Sequence, residues 1–230
     1  AIVGGADGPM VLFTSLELAR KLFVPISVVA YVYLSITYAL YPYMIKLLIP
    51  TKLQGIVMDL HSIPKVSARQ KLIFSVLAAT VLSVLFPVAA PLFASFFIGV
   101  MVREADLPRY QRFLDEVVLT GSTFFLGFVL GALFSFYVIT DSRVLLIMFL
   151  GLISIVLSGL GGIAAGLIAY KVSGGKINPL IGIAGVSCVP TTAKVAQKCA
   201  LAVNKHAIIL PFAMGPNVAG VITTAIIALA

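Results

Sequence analysis

Five stretches of this chain carry no charged residue and are long enough to cross a lipid bilayer. A membrane-spanning helix needs about 20 consecutive apolar residues to match the hydrocarbon core of the bilayer. Only 10% of the residues are charged and the mean hydropathy is +1.15, whereas about 25% of the residues of a soluble domain are charged. We therefore expect an integral membrane protein. The five stretches are 22–45, 72–102, 117–140, 144–170 and 207–230.

The stretches have the pattern of helices rather than of barrel strands. A barrel strand alternates apolar and polar residues over about 10 positions, whereas runs such as Val144–Leu150 are apolar on every side. The predicted fold is therefore all-α, a polytopic transmembrane helical bundle. The net charge of +8 comes from basic residues in the connections between the stretches. This position favours a role in topology and in contact with anionic lipid, and it argues against nucleic-acid binding.

Three polar interruptions break the apolar sequence. Asp7 lies in Gly-Gly-Ala-Asp-Gly-Pro at 4–9; Asn-Pro-Leu-Ile-Gly at 178–182 leads on to Ser187 and Lys194; and Gly-Pro-Asn occupies 215–217. Polar groups in a membrane are costly and usually mark an ion or proton path. Breaks rich in Gly and Pro also free carbonyl groups to coordinate ions. We therefore predict discontinuous helices that carry an ion site.

The polar residues allow more than one role. The Asp7 carboxylate suits binding of sodium in exchange for a proton, or capping of the helix that follows it. Lys194 is suited to attract a carboxylate or to expel sodium, or else it extends to the membrane edge. Asn217 offers an amide oxygen of the kind that sodium favours. Tyr33 belongs to a tyrosine-rich stretch typical of the membrane interface, where a buried member is suited to relay a proton.

The order of the interruptions predicts the organisation of the chain. Each of the first two is followed by an apolar helix, which suggests two inverted repeats with a site where they meet. We expect the end of the first repeat at 1–49, a basic cytoplasmic loop at 50–71 and the second repeat at 72–230. The second repeat would contain a broken helix at 177–199 and a final span at 206–230. The stretch 72–102 is long enough for one kinked crossing or a helical hairpin, and the sequence leaves both open.

Three motifs in the same order carry a family resemblance: IVGGADGP at 2–9, KINPLIGIAGVSCVP at 176–190 and MGPNVAGVI at 214–222. With these motifs the chain resembles the C-terminal portion of the beta subunit of sodium-pumping biotin-dependent decarboxylases, whose members act with oxaloacetate, methylmalonyl-CoA, glutaconyl-CoA or malonate. The resemblance implies a membrane subunit that decarboxylates carboxybiotin supplied by a carrier subunit, consumes a proton and exports sodium.

The resemblance also implies site residues. Sodium ligands fall on Asp7, Asn178, Ser187 and Asn217, and catalytic residues on Asp7, Tyr33, Ser187 and Lys194. Biotin-binding residues fall on Asn178, Gly182 and Lys194. Lys194 stands where oxaloacetate-type members carry Arg, so the charge is kept but the bidentate fork of a guanidinium is lost.

The partners that the resemblance implies are a carboxyltransferase alpha subunit, a biotin carrier protein and a small membrane gamma or delta subunit. It further implies a homo-oligomer in the bacterial inner membrane. The alternative interpretation is a secondary sodium-coupled carboxylate transporter, which shares broken helices and buried polar groups. That alternative needs no biotin and no partner subunit.

Overall fold

The structure is a computed structural model that describes residues 8–59, 66–133, 142–186 and 190–229. Five of its helices are long and apolar enough to span a membrane. The predicted all-α, polytopic fold is therefore confirmed. The candidate spans are Arg20–Leu48, Ala68–Leu85, Pro108–Leu133, Val144–Val172 and Leu210–Ile227.

The described helices group into two compact units, one formed by 8–59 with 142–228 and the other by 66–133. We call them the first and the second unit. In chain order the helices are α1 (Gly8–Leu18), α2 (Phe23–Leu48), α3 (Thr51–Gln54), α4 (Ala68–Leu85), α5 (Ala90–Glu104), α6 (Pro108–Arg112), α7 (Leu119–Leu133), α8 (Ser142–Val172), α9 (Ile181–Ala184), α10 (Thr191–Val203) and α11 (Leu210–Leu229). A π-helical segment, Phe113–Val118, joins α6 and α7 into one continuous helix, Pro108–Leu133.

In the first unit, α2 and α8 run side by side in the same direction. The Tyr33 hydroxyl donates to the Met148 carbonyl, and two turns later the Tyr41 hydroxyl donates to the Ile155 carbonyl at 3.2 Å. Both tyrosines are fully buried, and a buried hydroxyl without a partner would be costly. These two bonds therefore fix the register of α2 against α8.

The described residues 178–186 and 190–204 begin and end at the same end of the first unit. The Asn178 side-chain amide donates to the Gln54 and Ile56 carbonyls at 3.0 and 2.9 Å. The Asn204 amide donates to the Gly55 carbonyl between them at 2.9 Å. The short α9 and the following α10 pack against each other, and we call residues 178–186 together with 190–204 the re-entrant hairpin. The broken helix predicted at 177–199 stays a prediction. We call the end at which residues 54–56 lie the loop end.

The chain turns into this hairpin directly after α8. Gly174 and Gly175 have φ angles of +64° and +87°, a left-handed conformation that favours glycine. The Gly175 N–H donates to the Tyr170 carbonyl at 2.9 Å. A left-handed glycine of this kind is a common helix terminator, because it satisfies carbonyls of the last helical turn.

In the second unit, α4 and α5 form an antiparallel helical hairpin. The Lys71 ammonium, near the start of α4, lies 3.0 Å from the carboxylate of Glu104, the last residue of α5. The Phe74 and Phe97 rings meet edge to face with centroids 6.3 Å apart. Of the two alternatives for 72–102, the structure thus has the hairpin, with its turn at Pro87–Ala89.

The apolar surfaces of the second unit face outward. None of the apolar window in Pro108–Leu133 and 6% of that in Ala68–Leu85 is buried. Such surfaces are stable in contact with lipid chains, whereas water would penalise them. The division at 1–49, 50–71 and 72–230 stays a prediction, because the two units group helices by contact and not by repeat.

Candidate functional site

Asn217 extends from α11 to the inner end of the re-entrant hairpin. Its side chain is 0% exposed. The amide nitrogen donates to the Ala184 carbonyl at 2.7 Å, to the Val186 carbonyl at 3.3 Å and to the Thr192 hydroxyl oxygen at 2.9 Å. One side chain therefore holds the end of α9 and the start of α10 together.

Thr192 makes the same connection from the other arm of the hairpin. It is also 0% exposed, and its hydroxyl donates to the Val186 carbonyl at 3.0 Å. Three oxygens, from Ala184, Val186 and Thr192, thus converge on the Asn217 amide. We call this arrangement the tip oxygen cluster. Carbonyl and hydroxyl oxygens are the ligands that hard cations prefer, and carbonyls at unwound helix ends coordinate sodium in transporters.

The carbonyls of the cluster are free of helical bonding because α9 is very short. It has four residues, and past its end the Gly185 and Val186 N–H groups bond back to the Gly182 and Ile183 carbonyls at 3.1 and 3.2 Å. The last carbonyls of a helix have no partner within it. Here the side chains of Asn217 and Thr192 supply those partners.

Asn178 lies at the opposite end of this short segment. Besides its two bonds to residues 54–56, its side-chain oxygen accepts from the Leu180 N–H at 3.0 Å. The residue is 0% exposed. In this structure it anchors the hairpin to the loop end and does not join the tip oxygen cluster.

Gly182 allows the hairpin to lie against α8. A Cβ atom at Gly182 would overlap the Gly162 carbonyl oxygen and the Gly166 backbone nitrogen, and a Cβ at Gly162 would come within 2.9 Å of the Gly182 carbonyl oxygen. Small residues permit such close approach of backbones in membranes. The structure therefore gives Gly182 a packing role.

Two other predicted site residues, Tyr33 and Lys194, do not belong to the tip oxygen cluster. The Tyr33 hydroxyl is bonded to α8, and its ring lies against Gly151, where a Cβ would overlap it. Lys194 is exposed on α10, two residues after Thr192. The catalytic roles of both residues therefore stay predictions.

Asp7 and Ser187 lie outside the described residues. Each has one described neighbour in the sequence, Gly8 after Asp7 and Val186 before Ser187. Gly8 packs against Tyr31 of α2, where a Cβ would lie 3.0 Å from the ring carbon Cζ. Val186 contributes its carbonyl to the tip oxygen cluster. Their sodium and catalytic roles stay predictions.

Sequence reasoning missed three polar residues that organise this region. Thr192 joins the tip oxygen cluster, and the Gln54 carbonyl receives Asn178. The Gln197 side-chain oxygen accepts from the Ile209 and Leu210 N–H groups at 2.8 and 2.7 Å, which caps α11. The signal available in the sequence was a Thr pair directly after Pro190, in a segment already marked as a break.

A cavity of about 690 Å³ adjoins the tip oxygen cluster. It borders Gly185, Val186 and Pro216 and continues along α11 as far as Ile227, away from the loop end. The Thr223 and Thr224 hydroxyls in its wall donate to carbonyls of their own helix at 2.8 and 2.9 Å. The hairpin therefore separates the loop end from an open space on its other side.

The whole chain, residues 1–230, matches the family described as Na+-transporting oxaloacetate decarboxylase beta subunit. It is 53% identical to the carboxybiotin decarboxylase of Malonomonas rubra, over 98% of this chain and 56% of that protein. It is 35% identical to the methylmalonyl-CoA decarboxylase subunit beta of Veillonella parvula, over 99% and 61%. It is 36% identical to the oxaloacetate decarboxylase beta chain of Klebsiella pneumoniae, over 99% and 52%. The chain thus spans about half the length of these relatives.

Proposed function

Because the chain belongs to the family of Na+-transporting oxaloacetate decarboxylase beta subunits, we propose that it forms part of a membrane subunit that decarboxylates carboxybiotin and exports sodium. In this reaction the bond between the carboxyl carbon and the biotin nitrogen breaks. The nitrogen takes up one proton, and carbon dioxide leaves. The free energy released would drive sodium across the membrane.

The observation that carries the proposal is the tip oxygen cluster. Three oxygens meet at the buried inner end of a re-entrant hairpin, and Asn217 reaches the same point. A sodium ion there would replace the Asn217 N–H groups as the partner of the Ala184 and Val186 carbonyls and the Thr192 hydroxyl, and the Asn217 amide would turn to present its oxygen to the ion. The adjoining cavity would then be its route away from the loop end.

Proton uptake is assigned to Asp7, as the first motif predicts. A carboxylate that holds sodium favours its charged form, and a proton on the same group weakens sodium binding. One acid can therefore couple the two flows. Ser187 directly follows the Val186 carbonyl of the cluster in sequence, which supports its assignment as a further ligand.

Lys194 is the residue best suited to attract the carboxylate of carboxybiotin. It is exposed on α10 and lies within the same turn as Thr192. In this proposal Asn178 and Gly182 position the hairpin for biotin, since one anchors it to the loop end and the other seats it on α8. Tyr33 would act from α2, which lies against α8.

The partners follow from the same proposal. Carboxybiotin must come from a biotin carrier protein, which a carboxyltransferase alpha subunit loads. We further propose a small gamma or delta membrane subunit, a homo-oligomer and a location in the bacterial inner membrane. The loop end would face the cytoplasm, because it carries Lys46, Lys52, Lys176 and Lys205, and positive loops stay inside.

The test uses the full-length chain in its assembled complex and measures the sodium concentration needed for half-maximal decarboxylation. Asn217→Ala should raise that concentration by about tenfold, the equivalent of about 1.4 kcal/mol of lost binding energy. Thr80→Val is the matched control, since this exposed hydroxyl bonds only to its own helix at 2.9 Å. An unchanged sodium requirement in Asn217→Ala would rule out the tip oxygen cluster as the site.

A second measurement separates the alternative function. Avidin should abolish sodium uptake into vesicles that contain the complex, because it sequesters biotin. Uptake that persists in avidin and follows an added carboxylate would favour the sodium-coupled carboxylate transporter.

A further inference from the structure

A second concave surface lies at the loop end, between the last turns of α2 and the last turns of α10. We call it the loop-end groove. Its volume is about 480 Å³. Among the described residues, it shares no lining residue with the cavity beside the tip oxygen cluster. The groove is lined by Tyr38, Ala39, Pro42, Tyr43, Lys46, Gln54, Lys198, Cys199, Ala202 and Val203.

The groove is positively charged. Lys46 and Lys198 line it, and both are exposed. The Lys198 ammonium lies 3.5 Å from the Tyr38 hydroxyl and 5.3 Å from the centre of its ring. Among the described residues, none that lines the groove carries a carboxylate, and residues 142–230 of the sequence contain no Asp or Glu. An anion that entered the groove would therefore meet two ammonium groups and no competing acid.

The groove also has the character of a membrane interface. It lies at the end of the candidate span Arg20–Leu48. Tyr43 is 71% exposed, and the neighbouring Leu47 is 84% exposed. Tyrosines of this kind mark the depth of lipid headgroups. The remaining wall is largely apolar, so the groove has a cationic part and an apolar part within one surface.

We propose that the loop-end groove binds the phosphate headgroup of an anionic phospholipid. The Lys46 and Lys198 ammonium groups and the tyrosine hydroxyls donate to the phosphate oxygens. The glycerol and the first acyl carbons pack on Ala39, Pro42 and Val203. Lysine is a common phosphate ligand, and basic pockets between helices on the cytoplasmic side bind lipid headgroups.

The loop-end groove and the anchor of the hairpin share one residue, Gln54. Gln54 lines the groove, and its side-chain nitrogen donates to the Ile49 carbonyl at 2.7 Å. The Gln54 backbone carbonyl receives the Asn178 amide. A bound headgroup therefore stabilises the same loop that holds the hairpin in place. This inference does not depend on the proposed reaction.

The first experiment measures phosphatidylglycerol bound to the full-length complex by native mass spectrometry, with phosphatidylcholine as the neutral comparison. Lys46→Ala combined with Lys198→Ala should weaken phosphatidylglycerol binding by about tenfold or more, because the phosphate loses two charge-assisted hydrogen bonds. Lys52→Ala combined with Lys205→Ala removes the same charge from the loop end but outside the groove, and it should leave binding almost unchanged. Lys46→Arg with Lys198→Arg should retain binding because the two positive charges are kept, and an unchanged melting temperature of the double Ala variant excludes misfolding as the cause.

The second experiment locates the lipid. Ala202 lies in the groove wall and is exposed, so Ala202→Cys introduces a thiol that reports access to the groove, with labelling assigned to position 202 by peptide mass spectrometry. Phosphatidylglycerol should slow maleimide labelling at position 202 severalfold, and the double Lys→Ala variant should lose this protection. Equal loss of binding in both double Ala variants would overturn the proposal. Equal protection by millimolar inorganic phosphate, or by a soluble carboxylate, would also overturn it, because the site would then serve a soluble anion.

Discussion

The side-chain nitrogen of Asn217 lies 2.9 Å from the hydroxyl oxygen of Thr192, although the two residues belong to different helices. Both are 0% exposed, and both also bond to the Val186 carbonyl. Buried polar groups that share partners form a network whose members depend on one another. Removal of one member should therefore affect the whole inner end of the hairpin.

Thr192→Val should destabilise the protein, because valine has the shape of threonine but lacks the hydroxyl. The Asn217 amide and the Val186 carbonyl would each lose a buried partner, at a cost of about 1–3 kcal/mol in the free energy of unfolding. Thr192→Ser keeps the oxygen and should be much milder. Thermal unfolding of the full-length protein in detergent measures both variants. Equal melting temperatures for Val and Ser at this position would contradict the network.

Gly182→Ala should be strongly destabilising, because the new methyl group would overlap backbone atoms of Gly162 and Gly166. Backbone atoms within a helix cannot shift without moving the helix as a whole. Overpacking of this kind costs about 1–3 kcal/mol. Gly161→Ala is the control, since a Cβ there meets nothing within 4 Å. Alanine favours a helix over glycine by about 1 kcal/mol, so the control should be neutral or stabilising. Similar unfolding temperatures for the two variants would refute the close contact.

Gln197→Ala should loosen the start of α11, because Ile209 and Leu210 would lose the acceptor of their N–H groups. Loss of a helix cap costs about 0.5–2 kcal/mol. Gln197→Glu keeps an acceptor for these N–H groups and adds a favourable negative charge at a helix N-terminus, but it loses the N–H that Gln197 donates to the Ala207 carbonyl at 3.0 Å. Hydrogen exchange at Ile209 and Leu210 should therefore accelerate in the Ala variant and less in the Glu variant. Unchanged exchange in Gln197→Ala would show that the cap is dispensable.

Glu104 should make the α4–α5 hairpin less stable in acid. The hydrogen bond from Arg103 has the larger effect on its carboxyl and the hydrogen bond from Lys71 the next. Both lower the pKa of this carboxyl below the ordinary value of 4.5. The charged form therefore stabilises the folded state above pH 4.5, and this contribution declines as the pH falls below 4.5 through the folded pKa. The difference in unfolding temperature between the natural chain and Glu104→Gln should be constant near neutral pH and shrink in acid. A difference independent of pH would exclude the charged carboxylate as its source.

Several elements were predictable because the bilayer imposes simple rules on sequence. The apolar stretches 22–45, 144–170 and 207–230 correspond to spans, since hydrocarbon requires about 20 apolar residues for each crossing. The break at 215–217 also directed attention to Asn217, whose buried amide meets the hairpin. Thr192 was missed because a single threonine near a break has many possible partners, and the sequence does not identify them.

The sequence by itself determined that the chain is a helical membrane protein with polar breaks at defined positions, because hydropathy and the Gly-Pro motifs act locally. Only the tertiary structure decided how these parts meet. Asn178 and Asn204 meet at the loop end because both bond to backbone carbonyls of residues 54–56, and every residue offers such a carbonyl. Likewise, α4 and α5 form a hairpin through contacts that include the Phe74 and Phe97 rings and the Lys71–Glu104 ion pair. Contacts between residues distant in the chain depend on three-dimensional packing, which local sequence patterns do not specify.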